Sequence, residues 1–169
     1  MSFSTQLQID YCEPVQFGCP MRLTRQTNYA IRLLMFCAAN TDRLSRVQEI
    51  SKANAVSGPF LFKILQPLVE HGLVESVRGR NGGIRLAKPS DQITLTDVIV
   101  ATENKCEIHD CAAEGIADCP LKEHCTYHSV LKRAFDAFHT VLSQHTIADL
   151  VANRGDIKRV FRIIDGDRA

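Results

Sequence analysis

The sequence predicts a mainly α-helical fold with a small β wing, in which a winged helix-turn-helix is followed by a long C-terminal helix. Three helical patterns, with one short turn between the second and the third, predict the helix-turn-helix. Two strand-like runs that flank a basic, glycine-rich tip predict the wing. An uninterrupted amphipathic pattern in the last third of the chain predicts the long helix.

The helix-turn-helix follows from apolar residues that recur every three or four positions and from polar residues that can cap each helix. The expected helices span residues 24–39, 47–53 and 57–71. Thr24 or Thr27 can cap the first helix, and Ser45 and Gln48 are spaced like a capping box before the second. Pro67 lies inside the third helix, where an interior proline is expected to introduce a kink.

The third helix and the wing carry side chains that suit double-stranded DNA. In a winged helix-turn-helix the third helix lies in the major groove, where Lys63 and Gln66 are long enough to reach base edges. Ser57, at the start of that helix, suits a phosphate. Arg78 and Arg80, in the tip of the wing, can enter the minor groove or follow the phosphates. We therefore predict that these five residues contact DNA.

The charge of the chain is unevenly distributed, although the formal total is only +1. Residues 22–90 contain 11 Lys and Arg against 4 Asp and Glu, whereas residues 103–125 contain 2 Lys against 6 Asp and Glu. A basic region of this kind is typical of a domain that binds a polyanion, and a merely solvated basic face is the alternative. Its coincidence with the helix-turn-helix favours DNA as the partner.

The most distinctive stretch is residues 106–125, which contains four of the seven cysteines in the spacing Cys-x4-Cys-x7-Cys-x5-Cys. Most of this stretch has no helical or strand period. An irregular segment of this length is usually functional or disordered, because ordering it costs conformational entropy and buries little surface. Thiolates bound to a soft metal would offset that entropy. Structural zinc sites usually pair cysteines two to four residues apart, so gaps of four, seven and five residues argue against zinc. Redox-active thiols without a metal are the other alternative.

The last long helix is expected to begin at Pro120 and to run to about residue 145. Its apolar stripe is too large for a lone helix, so the helix must pack against a large surface. Either it closes the core of its own chain or it pairs two copies in a twofold homodimer, each reading one half-site, and the sequence favours the homodimer. The stripe consists of Tyr127, Val130, Leu131, Ala134, Phe135, Phe138, Val141 and Leu142.

Several classes of protein are excluded by missing features. The chain has no phosphate-binding loop, no nucleophile elbow and no zinc-protease motif, which argues against an enzyme. It has no apolar run near the roughly 20 residues that span a bilayer and no secretory signal, so we expect a cytoplasmic protein without membrane contact. The expected organisation is a disordered extension at 1–20, a DNA-binding domain at 21–90, a cluster-binding loop and dimerisation helix at 91–152, and a flexible tail at 153–169.

Several motifs together resemble the Rrf2 family of iron–sulfur transcription regulators. They are Met21-Arg22-Leu23-Thr24, Tyr29-Ala30, the wing Val77-Arg78-Gly79-Arg80-Asn81-Gly82-Gly83 and the last three cysteines. The resemblance covers residues 21–150, and the Cys-x7-Cys-x5-Cys spacing most resembles the rhizobial iron regulator of that family. It implies a regulator that binds a [4Fe–4S] cluster when iron is plentiful and represses iron-uptake genes, with a [2Fe–2S] cluster as the alternative. A thiol-based redox sensor without a cluster, and a regulator of iron–sulfur assembly or of the nitric oxide response, are the alternative functions.

The resemblance also implies the ligands of the cluster, which are Cys111, Cys119, Cys125 and His128. Cys119 is expected at the N-terminal end of the long helix, where the helix dipole favours a thiolate. Cys125 and His128 lie three positions apart on that helix and so share a face. The fourth ligand is open: His128 corresponds to the histidine ligand of the assembly regulator. Cys106, Asn28 and a position left to solvent or a small molecule are the alternatives.

Overall fold

The computed structural model describes residues 23–80, 82–103 and 125–161. It confirms a mainly helical fold with a small two-stranded wing. The described elements are α1 (Arg25–Ala39), α2 (Val47–Asn54), α3 (Gly58–Glu70), β1 (Val74–Val77), β2 (Gly83–Leu86), a 3-10 turn (Ser90–Gln92), α4 (Leu95–Thr102), α5 (Thr126–Ser143), α6 (Ile147–Leu150) and α7 (Arg154–Phe161). The extension predicted at residues 1–20 lies outside the described residues. None of the described helices combines the length and the apolarity that crossing a bilayer requires.

Local capping signals set the starts of α1 and α3. Thr24 Oγ1 accepts from the Thr27 N–H at 3.3 Å, which identifies Thr24 as the N-cap of α1. Ser57 Oγ accepts from the Phe60 N–H at 3.4 Å and caps α3 in the same way. Between α2 and α3 the chain turns at Ala55, whose φ of 51° lies in the left-handed region. This tight turn lets α3 pack against both α1 and α2.

The start of α2 differs from the prediction that Ser45 and Gln48 form a capping box. The N-cap is Arg46, and its N–H donates to Glu49 Oε2 at 3.2 Å. Ser45 is buried, and its backbone pairs with Ile84 through two hydrogen bonds of 2.9 and 2.8 Å. A contact between residues far apart in the sequence therefore displaces the cap by one position and ties the wing to the segment before α2.

The wing is an antiparallel pair of β1 and β2, in which Val77 lies opposite Gly83. Its tip is closed by a hydrogen bond of 2.9 Å from the Gly82 N–H to Gly79 O. A Cβ at Gly82 would collide with Val77 O, and Gly79 has a φ of 114°. Both positions therefore favour glycine, because one has no room for a side chain and the other has a backbone that side chains rarely adopt.

The wing and the described helices other than α5 share one hydrophobic core. Its largest fully buried side chains are those of Phe36, Leu33, Leu34, Ile50, Leu61, Ile64, Leu68, Leu73, Ile84, Ile93, Ile99 and Ile147. Ile93 and Ile147 follow the domain boundary expected at residue 90, yet they belong to the same cluster as Leu33. The boundary therefore does not separate two cores, because α4 and α6 pack directly on α1.

The last described helix, α7, occupies part of the segment that the sequence predicts to be a flexible tail. Phe161 packs on Phe36 with ring centroids 5.6 Å apart, and Ile157 also contacts the core. Ile157 and Phe161 are four positions apart and so share one face of the helix. In the structure, residues 154–161 form a helix that this apolar pair docks on α1.

The long helix α5 begins at Thr126 rather than at Pro120, with Cys125 as its N-cap. Towards its C-terminal end it is held by α4, where Thr96 Oγ1 donates to His139 O at 3.2 Å. Within the single chain, none of its 18 residues is buried by the described part of the protein. Among the described residues, the apolar stripe of α5 is therefore no part of the buried core.

Candidate nucleic-acid interface and metal centre

The outer face of α3 is the first part of the candidate interface. Its inner side is filled by the buried side chains of Leu61, Ile64, Leu65 and Leu68. On the other side Phe62, Lys63 and Gln66 are exposed. Residues three and four positions apart lie on one face of a helix, so these three side chains form a single outer stripe. The structure thus brings Lys63 and Gln66 together on a surface that is open to solvent.

Two of the predicted DNA contacts already have partners within the protein. Gln66 Nε2 donates to Glu70 Oε1 at 3.1 Å, so the amide must exchange this partner before it can read a base. Ser57 Oγ accepts a hydrogen bond from the Phe60 N–H. This bond does not use the proton of the Ser57 hydroxyl. Ser57 can therefore cap α3 and still donate to a phosphate at the helix N-terminus.

The wing tip carries the remaining predicted DNA contacts. Arg78 and Arg80 are both exposed and flank Gly79 at the end of the hairpin. A guanidinium group presents several donors in a fixed planar arrangement and can bind a phosphate through two hydrogen bonds. The wing therefore offers two cations to the DNA backbone, in addition to the side chains on the outer stripe of α3.

A second pair of arginines, which the sequence reasoning missed, lies beside the start of α3. The guanidinium carbon of Arg25 is 6.0 Å and that of Arg32 is 5.4 Å from the ring centroid of Tyr29. Tyr29 in turn packs edge-on against Phe60 of α3, with ring centroids 5.6 Å apart. The spacing of Arg25, Tyr29 and Arg32, at i, i+4 and i+7, was the signal that could have identified this cluster.

The described part of the candidate metal centre is the start of α5. Cys125 Sγ accepts from the His128 N–H at 3.4 Å, so the sulfur caps the N-terminal end of the helix. The sequence assigned this helix-end position to Cys119, and the structure gives it to Cys125. The side chain of His128 is exposed in the first turn.

Of the other proposed ligands, Asn28 alone lies within the described residues. Cys106, Cys111 and Cys119 lie outside the described residues, and Asn28 is exposed on α1. Among residues 23–80, 82–103 and 125–161, no three His, Cys, Asp or Glu side chains lie close enough to hold a metal ion. The chemistry of Cys125 fits an iron–sulfur cluster, because a partly exposed cysteine sulfur is a soft donor of the kind that iron–sulfur clusters bind.

A hydrogen-bond network joins the end of α4 to the start of α1. Glu103 Oε1 accepts from the Thr24 N–H at 2.7 Å and from the hydroxyl of Thr27. The hydroxyl oxygens of Thr27 and Thr102 are 2.8 Å apart. Glu103 lies three residues before the cysteine-rich segment, residues 106–125, so the network joins the chain just before that segment to the first helix of the DNA-binding part.

Cys37 differs from Cys125 in being buried, with 3% of its surface exposed. Burial raises the pKa of the Cys37 thiol to about 12, against a weaker lowering by a hydrogen bond with Ser45. The thiol is therefore neutral at physiological pH. As the pH rises above 9.0, the ordinary pKa of the thiol, Cys37 ionises in the unfolded chain before it does so in the folded one, so the free energy of unfolding falls.

We expect Cys37 to resist iodoacetamide in the native protein at pH 8. A pKa of about 12 instead of 9.0 lowers its thiolate fraction by about a thousandfold, and burial also blocks access. The measurement is mass spectrometry of tryptic peptides after timed alkylation, with protein unfolded in guanidinium chloride as the control. Rapid native alkylation of Cys37 would contradict its place in the core.

The outer stripe of α3, the wing and the basic surface around them define a winged helix-turn-helix protein that binds DNA. Comparison with known proteins identifies the class more closely. The Rrf2 family, described as "Iron-dependent Transcriptional regulator", matches residues 23–153. The chain belongs to the Rrf2 family, whose members are transcription regulators and not enzymes.

Individual relatives agree with this assignment. "Protein aau3" of Rhizobium meliloti is 54% identical over 137 residues, which cover 81% of this chain and 89% of that protein. The HTH-type transcriptional regulator NsrR of Shouchella clausii is 36% identical over 143 residues, 84% of this chain and 96% of that protein. Among solved structures, CymR, the global cysteine regulator of B. subtilis, has a TM-score of 0.64 at 24% identity and covers 79% of this chain and 98% of its own. IscR of T. potens has a TM-score of 0.60 at 21% identity, covering 79% of this chain and 88% of its own. Both structures share the fold.

Proposed function

We propose that the protein is an iron-responsive repressor of iron-uptake genes in which an iron–sulfur cluster controls operator binding. The observation that supports this most is the position of Cys125 at the N-terminal end of α5, with His128 in the first turn. In this proposal Cys111 and Cys119 provide two further thiolates and His128 provides the fourth ligand. A [4Fe–4S] cluster is the preferred cofactor, and a [2Fe–2S] cluster is the alternative.

Bound there, the cluster would supply a cross-link between the cysteine-rich segment and the start of α5. Just before the other end of that segment, Glu103 accepts hydrogen bonds from the Thr24 N–H and the Thr27 hydroxyl at the start of α1. The segment is thus connected to the DNA-binding part at one end and to α5 at the other. Ordering it would bias the protein between two arrangements of these helices, and DNA affinity would follow that bias.

In the DNA complex, Lys63 and Gln66 would approach base edges from the outer stripe of α3, and Ser57 would bind a phosphate. Arg78 and Arg80 would contact the backbone or the minor groove from the wing. The exposure of all five side chains supports this assignment. Because phosphate contacts release counterions, we expect operator affinity to fall steeply with salt concentration.

The homodimer is the second part of the proposal, and the apolar stripe of α5 supports it. Tyr127, Val130 and Val141 are 68%, 54% and 56% exposed in the single chain. A stripe of this size along one helix face marks an interaction surface, because monomers rarely leave it in water. Pairing two copies through α5 would cover it and present two copies of α3 to successive half-sites.

The experiment that tests the function compares operator binding by two forms of the same preparation at one salt concentration. Protein purified without oxygen is divided, and one half is treated with a chelator and an oxidant until iron and sulfide are removed. We expect the untreated half to bind promoter DNA of an iron-uptake gene 10- to 100-fold more tightly, the usual size of a coupling of about 1–3 kcal/mol. Equal affinity would refute the switch.

The same preparation separates the alternative functions. Brown protein containing iron and sulfide supports the cluster, whereas colourless protein that forms a reversible disulfide supports the thiol-based redox sensor. Iron-dependent binding to promoters of iron–sulfur assembly or nitric oxide-response genes, but not of uptake genes, would reassign the target genes and leave the mechanism intact.

A further inference from the structure

Phe62 is an apolar side chain on the outer stripe of α3, and 61% of its surface is exposed. It is not needed in the core, because the inner side of α3 is filled by residues such as Leu61 and Ile64. It borders an open groove of about 720 Å³ between α2 and the start of α3, whose other walls include Lys52 and Val56. A large apolar ring therefore lies within the surface that faces DNA in this fold.

The major groove offers such a ring one specific kind of partner. Phenylalanine has neither a donor nor an acceptor, so it cannot read the polar pattern of a base pair. The C5-methyl group of thymine is the apolar group that unmodified base pairs expose there. Recognition helices approach base edges with their N-terminal residues, and Phe62 lies in the second turn of α3, after the N-cap Ser57.

We propose that Phe62 is a specificity-determining residue that selects thymine by packing its ring against the C5-methyl group in the major groove. The inference rests on the DNA-binding function. Lys52, across the groove, carries positive charge that can hold a phosphate beside the base that Phe62 contacts. Phe62 carries no charge, so its contribution is to sequence selection rather than to salt-dependent affinity.

The test uses the full chain purified without oxygen and a duplex library randomised over about 30 base pairs, long enough for two half-sites. After selection, each thymine of the enriched duplex is replaced in turn by deoxyuridine, which removes only the methyl group. We expect wild-type protein to lose about fourfold in affinity at one thymine in each half-site, the effect of one buried methyl group. Phe62→Ala is expected to bind the thymine and deoxyuridine duplexes equally.

Val69→Ala is the matched control, because Val69 is also exposed on α3 but lies in its last turn. It should keep the wild-type preference for thymine. Since Phe62 is exposed, Phe62→Ala should melt at the wild-type temperature. A fourfold loss that persists in Phe62→Ala, or a wild-type protein indifferent to every methyl group, would overturn the proposal.

Three further outcomes assign Phe62 or the protein differently. If Phe62→Ala changes the sedimentation coefficient without DNA, the ring belongs to a contact between copies of the chain and the proposal fails. If selection enriches no sequence for wild-type protein, the DNA-binding function itself fails. If sites are enriched but their thymines behave alike in both proteins, only the role of Phe62 fails.

Discussion

Cys125→Ser should yield colourless protein with almost no iron or inorganic sulfide, while α5 keeps its starting point. Cys125 has two roles, since its Sγ caps α5 by accepting the His128 N–H at 3.4 Å and is also a proposed ligand. Serine is among the best N-cap residues, so the replacement preserves the cap. It removes the soft sulfur donor that is proposed to bind iron. Operator affinity should fall to that of the cluster-free protein, by about 10- to 100-fold.

The measurements for this variant are the visible absorption spectrum, the iron and sulfide content, and the helical signal in circular dichroism. Cys37→Ala is the matched control, because it also removes one described cysteine but from the buried core. It should stay brown, although it should melt at a lower temperature since it leaves a small cavity. Full iron content in Cys125→Ser would show that Cys125 is not a ligand.

Ala134→Glu should convert the dimer to a monomer and weaken operator binding by at least about 100-fold. Ala134 lies near the middle of the α5 stripe and is exposed in the single chain, so an isolated subunit can accommodate the glutamate. In the proposed dimer two unpaired carboxylates would be buried, at a cost of several kcal/mol, where each 1.4 kcal/mol is tenfold in dissociation constant. Loss of the dimer also uncouples the two half-sites, because binding the second is no longer intramolecular.

Analytical ultracentrifugation and titration of a two-half-site duplex measure these effects. Thr140→Glu adds the same charge to the opposite side of α5, where the Thr140 side chain is exposed and its Oγ1 bonds to Asp136 O at 2.7 Å. This control should remain a dimer. If Ala134→Glu is also a dimer with normal operator affinity, α5 is not the dimer helix.

Features with local causes were predictable from the chain alone. The caps Thr24 and Ser57, the turn before α3 and the two strands of the wing each depend on residues within a few positions of one another. The basic region and the cysteine spacing are also visible in the sequence, and together with the family motifs they identified the class of protein. The roles of the predicted DNA contacts and ligands depend on the DNA and cofactor complexes and stay predictions.

Contacts between distant residues settle the remaining features. Ser45 does not cap α2 as predicted, because its backbone pairs with Ile84. The helix α7 packs on α1 because Phe161 contacts Phe36. Phe62 belongs to an apolar run in the sequence, and it is exposed because α3 buries its other face against the core. The sequence identifies which side chains of α3 are apolar. The packing of α3 on the core decides which of them are buried, and in this packing Phe62 faces outward.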